Sequence, residues 1–189
     1  MRRVGAVIII SIISLVILDI LLSAGMQYII NRNNWENRVH IWQKDTLLGW
    51  RNIPDTSVII SSIEYSATVS IDSNGFRMNP YRKSDESIML FLGDSYTEGC
   101  EVNDSSAFTS LVQQNIDEQV INGGVRGYGL DQEYIYLTRL IKEYDNIADL
   151  FIVFYINDFM DVLTDNRDTP AYDKPVFKEK SGKYVRDNY

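Results

Sequence analysis

The chain has very little of two residue types on which many protein sites depend. It contains one cysteine, Cys100, and one histidine, His40, among 189 residues. A single cysteine excludes an internal disulfide and does not indicate a redox compartment. One histidine and one cysteine cannot build a typical zinc site, so we expect neither a metal nor a cofactor. We interpret Cys100 as a small buried residue, and His40 as an exposed or packing side chain.

Basic residues are also scarce. The chain has 18 lysines and arginines against 26 aspartates and glutamates, which gives a net charge of −8. This balance argues against binding to nucleic acid or to an anionic lipid surface, because both depend on clustered positive charge. The composition, with 45% hydrophobic residues, is that of a globular protein. The length suits one ordinary domain.

One long hydrophobic run is present, and it stands at the N-terminus. Arg2 and Arg3 precede an apolar stretch over residues 4–24, which is long enough to cross a hydrocarbon core of about 30 Å as a helix. We predict a transmembrane signal anchor over residues 1–25. The two arginines favour a cytoplasmic N-terminus and an extracytoplasmic main body. The alternative is a cleaved signal peptide, with residues 23–25 as the small-residue exit site.

The remainder divides by composition into three parts. Residues 26–44 are polar and are predicted to be a juxtamembrane linker or surface helix. Residues 45–86 are predicted to be a small β-rich lead-in, with strands near 57–61 and 67–72. Residues 87–189 carry the pattern of an α/β domain, which the next observations develop.

The most informative stretch of this third part begins with an apolar run over residues 88–92, and Gly93-Asp94-Ser95 follow directly. An unbroken apolar run closed by glycine and aspartate is typical of a strand buried on both faces of a parallel sheet. A hydroxyl just past the carboxyl end of such a strand lies where open α/β sheets bind ligands. Ser95 is therefore the first candidate for chemistry.

Strands and helices then alternate, as in a doubly wound sheet. Each later polar loop follows a strand, so it should reach the same rim as Ser95. We predict first a helix with Phe108, Leu111, Val112 and Ile116 on one face, then a strand over 119–121 and a glycine-rich loop over 122–129. A second helix follows, with Leu130, Tyr134, Leu137 and Ile141 on one face. The last elements are a strand over 150–156, which ends in Asn157-Asp158, and a hairpin over 174–189.

Three of these loops resemble the sequence blocks of the SGNH, or GDSL-type, hydrolase family. Residues 93–99, Gly-Asp-Ser-Tyr-Thr-Glu-Gly, resemble the first block, which implies that Ser95 is the nucleophile. Residues 122–129 resemble the second block, which implies that Gly127 donates its backbone N–H to the oxyanion. Residues 155–158 resemble the third block, which implies that Asn157 is another oxyanion donor. Tyr155 stands where the family often has glycine.

The resemblance covers roughly residues 49–189, and Gly49-Trp50 with Pro54 and Asn74-Gly75-Phe76-Arg77 resemble the lead-in of some membrane-anchored members. It implies a three-layer α/β/α, flavodoxin-like sheet and a serine ester hydrolase of esterase or lipase type. The implied partners are the membrane, through the N-terminal helix, and an ester-bearing small molecule, lipid or acylated glycan. An O-acetyltransferase acting on cell-envelope polysaccharide uses the same chemistry and remains an alternative.

The family also has a late Asp-x-x-His block that supplies the catalytic base, and no histidine follows His40 in this chain. We expect the sheet to be incomplete and the chain as given to be inert, or nearly so. Two explanations stay open at this point. The chain is a fragment that ends before its last strands and its histidine, or it is a degenerate relative that keeps the fold as a binding or scaffold protein.

Overall fold

The computed structural model describes residues 2–36, 41–62, 64–83, 87–163, 174–181 and 183–187. His40 lies outside these residues. The chain divides into two compact units, which we describe separately. The architecture is α/β, with an apolar helix at the N-terminus.

The N-terminal unit contains one long helix, α1, which runs over Arg2–Glu36. Its segment Ile9–Ile29 is long and apolar enough to cross a membrane, with a mean hydropathy of 2.4 and no buried residue. The helix continues beyond residue 25 into the stretch expected to be a linker. The physical reason is the absence of proline and glycine between residues 26 and 36, so nothing breaks the backbone hydrogen-bond ladder.

Two antiparallel hairpins open the second unit. The first pairs β1 (Trp42–Asp45) with β2 (Gly49–Asn52), and the second pairs β3 (Thr56–Ser61) with β4 (Ser66–Ile71). The β-rich lead-in is therefore present, and it begins at Trp42, inside the stretch predicted to be linker. The Asp45 carboxylate accepts hydrogen bonds from the N–H groups of Leu47 and Leu48, which shapes the turn of the first hairpin.

A three-stranded parallel sheet forms the centre of this unit. Its strands are β5 (Ile88–Gly93), β6 (Gln119–Asn122) and β7 (Ile147–Val153), in the order β6-β5-β7. The central strand β5 is buried on both faces, as its apolar run predicts, whereas most side chains of the edge strand β7 are exposed. The hydrophobic core joins the sheet to the first hairpin and to the helix that begins at Leu130. Its buried members are Leu48, Trp50, Phe76, Ile88, Leu90, Leu92, Ile121, Val125, Tyr128, Ile135, Tyr136 and Leu140.

Four helices connect or follow these strands. They are α2 (Ser95–Glu98), α3 (Phe108–Gln113), α4 (Leu130–Glu143) and α5 (Asn157–Leu163), with a 3₁₀ turn at Asp104–Ser106 before α3. The last element is an antiparallel hairpin of β8 (Val176–Lys180) and β9 (Lys183–Asp187), as predicted for the C-terminal residues.

The predicted apolar faces of α3 and α4 are wrong in part, since Val112 and Leu130 are half-buried and Leu137 packs against the core. In α3, Leu111 is exposed, while Gln113 is buried and holds β6 by accepting a hydrogen bond from the N–H of Val120. In α4, Tyr134 and Ile141 are exposed, whereas Ile135, Tyr136 and Leu140 enter the core. In both helices a buried glutamine with a main-chain partner also occupies the inner face: Gln113 in α3, and Gln132 in α4, which donates to the carbonyl oxygen of Leu48.

Candidate functional site at the carboxyl ends of the parallel strands

Ser95 stands at a tight turn from strand β5 into helix α2. The fully buried side chain of Asp94 caps α2 by accepting a hydrogen bond of 2.8 Å from the N–H of Tyr96. Residue 93 must be glycine because strand β7 lies very close to it: a Cβ there would be 2.9 Å from the carbonyl oxygen of Val153. The turn leaves Ser95 half-buried at the first position of the helix, just past the strand end.

The Ser95 turn borders an open cavity of about 560 Å³. Ser95, Tyr96, Gly99, Cys100, Glu101, Val102, Ser106 and Phe108 line it. Beside Ser95, the exposed rings of Tyr96 and Tyr155 lie with their centroids 4.0 Å apart. A hydroxyl with an adjoining cavity and an aromatic wall can receive a small ester or the acyl end of a larger one.

The glycine-rich loop after β6 lies directly against α2. Asn122, at the end of β6, accepts a hydrogen bond of 3.0 Å from the N–H of Gly124 and donates one of 2.7 Å to the carbonyl of Thr97. Val125 donates its N–H to the carbonyl oxygen of Gly93. These contacts bring the loop to the same strand ends as Ser95, as the alternating pattern predicts.

Gly127 lies further along this loop. Its φ of 82° is in the left-handed region, which favours glycine. The residue is therefore held in a backbone conformation that most side chains would oppose, at the point where the resemblance implies an oxyanion donor.

The first hairpin locks the loop in place, and sequence reasoning did not foresee this. The indole N–H of Trp50 donates to the carbonyl oxygen of Arg126 over 3.1 Å, and the hydroxyl of Tyr128 donates to the carbonyl oxygen of Trp50 over 2.5 Å. Both aromatic side chains are fully buried, with their rings 5.7 Å apart in an edge-on arrangement. A buried tryptophan in the lead-in was the available signal, but its partner is 76 residues away.

Asn157 begins α5 and binds the residue that precedes Ser95. Its amide nitrogen donates hydrogen bonds of 2.9 Å to Asp94 Oδ2 and to Asp161 Oδ2. The structure therefore brings the third predicted site residue to the Ser95 turn. Since carboxylates accept both amide hydrogens, Asn157 can donate to an oxyanion only by exchanging one of these partners.

A group of buried carboxyls surrounds this amide. Oxygens of Asp94, Asp158 and Asp161 lie within 4.8 Å of one another. Asp158 Oδ2 accepts a hydrogen bond from the N–H of Tyr155, which turns the chain after β7. This turn explains why the strand predicted over 150–156 ends at Val153. Both aspartates of the sequence blocks, Asp94 and Asp158, thus accept hydrogen bonds from main-chain N–H groups that shape the two turns.

Glu133, in the first turn of α4, is also part of the acidic surroundings. Its side chain is 1% exposed, and burial raises the pKa of its carboxyl from 4.5 to about 8, assisted by the charges of Asp158 and Asp94. Nearby, the amine of the buried Lys174 contacts Asp131 Oδ1 at 2.9 Å and donates to the carbonyl oxygen of Asp161. At neutral pH the Glu133 carboxyl is therefore mostly protonated, whereas an exposed glutamate would be ionised.

A second buried acidic group lies within α2 itself. Glu98, which is fully buried, is 3.6 Å from the Nε atom of Arg126, and burial raises the pKa of its carboxyl. Burial likewise raises the pKa of the Cys100 thiol, which agrees with the interpretation of Cys100 as a buried residue rather than a reactive one.

The geometry thus places Ser95, the glycine-rich loop and Asn157 at one rim of one parallel sheet, with His40 outside the described residues. A comparison with models of known protein families and a comparison with curated proteins each found no match to this chain.

Proposed function

We propose that this chain carries the nucleophile and oxyanion loop of an SGNH-type serine ester hydrolase, anchored in the membrane by α1 and acting outside the cytoplasm. The observation that supports this most is the Ser95 turn itself. A serine on a strand-to-helix turn, bordering a cavity and packed against a glycine-rich loop, is the arrangement that an exposed nucleophile requires.

In the proposed reaction, Ser95 Oγ attacks the carbonyl carbon of an ester. The bond from that carbon to the alcohol oxygen then breaks, and the serine proton passes through a base to the departing alcohol. Water hydrolyses the resulting acyl-enzyme. The oxyanion accepts hydrogen bonds from the N–H groups of Ser95 and Gly127, and from the Asn157 amide once it leaves one carboxylate. Removing one such donor typically lowers turnover by about 10²–10³-fold.

The base is the missing part. The only histidine of the chain precedes the α/β region, so we propose that the chain by itself turns over esters slowly or not at all. Serine enzymes that lose triad members retain roughly 10³–10⁴-fold acceleration over water through the oxyanion hole and substrate binding, so a small rate that persists in Ser95→Ala is compatible with this proposal. The substrate class is an ester-bearing small molecule, lipid or acylated glycan.

The test uses the full chain in detergent with p-nitrophenyl acetate, with and without added imidazole as an external base. We expect turnover near the buffer rate without imidazole, and a higher rate with imidazole that the Ser95→Ala variant loses. Ser106→Ala is the matched control, because Ser106 lines the same cavity. Robust turnover without imidazole that Ser95→Ala abolishes would show that the chain has its own base and would overturn the proposed inertness.

A second candidate is a binding protein that keeps this fold without the chemistry. Two observations favour it: the engagement of both Asn157 amide hydrogens by carboxylates, and the absence of a histidine after His40. The same assay separates the two functions. Equal rates for the wild-type chain and Ser95→Ala at every imidazole concentration would favour the binding protein and contradict the hydrolase.

A further inference from the structure

Glu98 and Arg126 form a buried ion pair between helix α2 and the glycine-rich loop. Glu98 Oε2 lies 3.6 Å from Arg126 Nε, and the Glu98 side chain is fully buried. Burial raises the pKa of this carboxyl, and the positive charge of Arg126 acts against that shift. At 3.6 Å the two side chains lie beyond hydrogen-bond distance, so the pair connects the two segments through charge.

Each partner stands next to a residue of the proposed site. Glu98 ends the one-turn helix that Ser95 begins, and Arg126 directly precedes Gly127 in the chain. The distance from Ser95 to the Gly127 N–H is thus spanned by one helical turn, one ion pair and one peptide unit. The two side chains contain several rotatable bonds, so this connection is stiff only where burial of Glu98 and the further contacts of Arg126 restrain them.

The side chain and carbonyl group of Arg126 are held from two further directions. Its guanidinium lies over the ring of Trp42, 5.4 Å from the centroid, and its carbonyl oxygen accepts the indole N–H of Trp50. On the other side, Gly124 packs so closely that a Cβ there would lie 2.3 Å from the Glu98 nitrogen. These contacts hold the guanidinium of Arg126, whose side chain is one-third exposed, beside Glu98.

We propose that Glu98 and Arg126 are positioning residues, whose ion pair sets the distance between the Ser95 hydroxyl and the Gly127 N–H. The catalytic meaning of this distance rests on the proposed function, whereas the positioning itself does not. A buried ion pair adds little to stability compared with well-packed apolar residues of the same volume. What the pair adds is a fixed direction between two groups, which an apolar contact does not supply.

The experiment records the amide signal of Gly127 by NMR in the full chain in detergent, for the wild type and for Glu98→Gln. Glu98→Gln keeps the size of the side chain and removes its charge. We expect the Gly127 signal to shift and broaden through motion of the loop, while signals of the exposed end of α4 stay in place. Arg126→Lys keeps a positive charge but loses the planar guanidinium, so we expect a smaller change of the same kind.

The matched control is Glu143→Gln, which removes the exposed partner of Arg139 in the i,i+4 pair of α4. It should leave the Gly127 signal unchanged. A Gly127 signal identical in the wild type, Glu98→Gln and Arg126→Lys would overturn the proposal. Should Glu98→Gln not fold, Arg126→Lys alone decides between the two results.

A second measurement separates this proposal from the proposed function. In the imidazole-assisted assay, we expect Glu98→Gln to lower kcat by about 10²-fold with little change in KM, since a misplacement near 1 Å costs about that much. If Gly127 responds to Glu98→Gln but hydrolysis does not depend on Ser95, the positioning role is supported and the hydrolase is contradicted. If hydrolysis depends on Ser95 and Glu98→Gln leaves both kcat and the Gly127 signal unchanged, the positioning role is wrong and the hydrolase stands.

Discussion

Replacing Gly124 by alanine tests how closely the glycine-rich loop lies against α2. A Cβ at this position would lie 2.3 Å from the main-chain nitrogen of Glu98, 2.7 Å from the carbonyl carbon of Thr97 and 2.8 Å from its Cβ. None of these atoms belongs to the flexible end of a side chain. Carbon atoms in ordinary contact are about 3.5–4.0 Å apart, so the loop and the helix must separate by roughly 1 Å.

The cost of this separation follows from the packing of the site. Overpacking of a close-packed interior typically costs about 1–3 kcal/mol, and the main-chain overlap at residue 124 favours the upper part of that range. For a body of this size, 1 kcal/mol changes the melting temperature by about 2–4 °C. We therefore expect Gly124→Ala to lower the melting temperature of the α/β unit by about 5–10 °C.

The assay is thermal or urea unfolding of the purified chain in detergent, followed by tryptophan fluorescence because the fully buried Trp50 lies in the unit concerned. Gly25→Ala, in α1, is the matched control, since a Cβ at residue 25 meets no atom within 4 Å. We expect the control to unfold as the wild type does. An unchanged midpoint for Gly124→Ala would show that the loop does not press against α2, and the argument for a preformed site would fail with it.

Two further predictions concern buried groups next to the site. Tyr128→Phe removes the hydroxyl that donates to the carbonyl oxygen of Trp50, so we expect a loss of about 1 kcal/mol in urea unfolding, while Tyr134→Phe, at an exposed tyrosine, has no effect. For Glu133, the folded-state pKa of about 8 lies above the unfolded value of 4.5, so the free energy of unfolding should fall as pH rises from 4.5 to 8, by up to about 5 kcal/mol. Glu133→Gln should flatten this pH dependence, whereas the control Glu143→Gln, at an exposed position of the same helix, should not. Parallel pH profiles for Glu133→Gln and the wild type would contradict the assignment of this dependence to Glu133.

Local patterns were sufficient for the elements that depend on neighbouring residues. The apolar run before Gly93 predicted a strand buried on both faces, and β5 is that strand. The alternation around Ser181-Gly182 predicted the hairpin of β8 and β9. In both cases the signal is the local order of apolar and polar residues, which is unbroken and apolar for β5 and alternating for the hairpin.

The same patterns failed where a buried polar side chain has a main-chain partner in another element. Gln113 in α3 is buried because it binds the main chain around β6, and Gln132 in α4 is buried because it donates to the carbonyl oxygen of Leu48, 84 residues away. A hydrophobicity count assigns both residues to the outer face, because it records the polarity of a side chain and not the partner that compensates it.

By itself, the sequence determined which strand ends carry Ser95, Gly127 and Asn157, because each residue follows its own strand or loop directly. Only the tertiary structure decided what holds them. Trp50 and Tyr128 are locked across 78 residues, and the Asn157 amide is bound by Asp94, 63 residues away. Such contacts depend on the register and packing of several elements at once, and no local stretch of sequence contains that information.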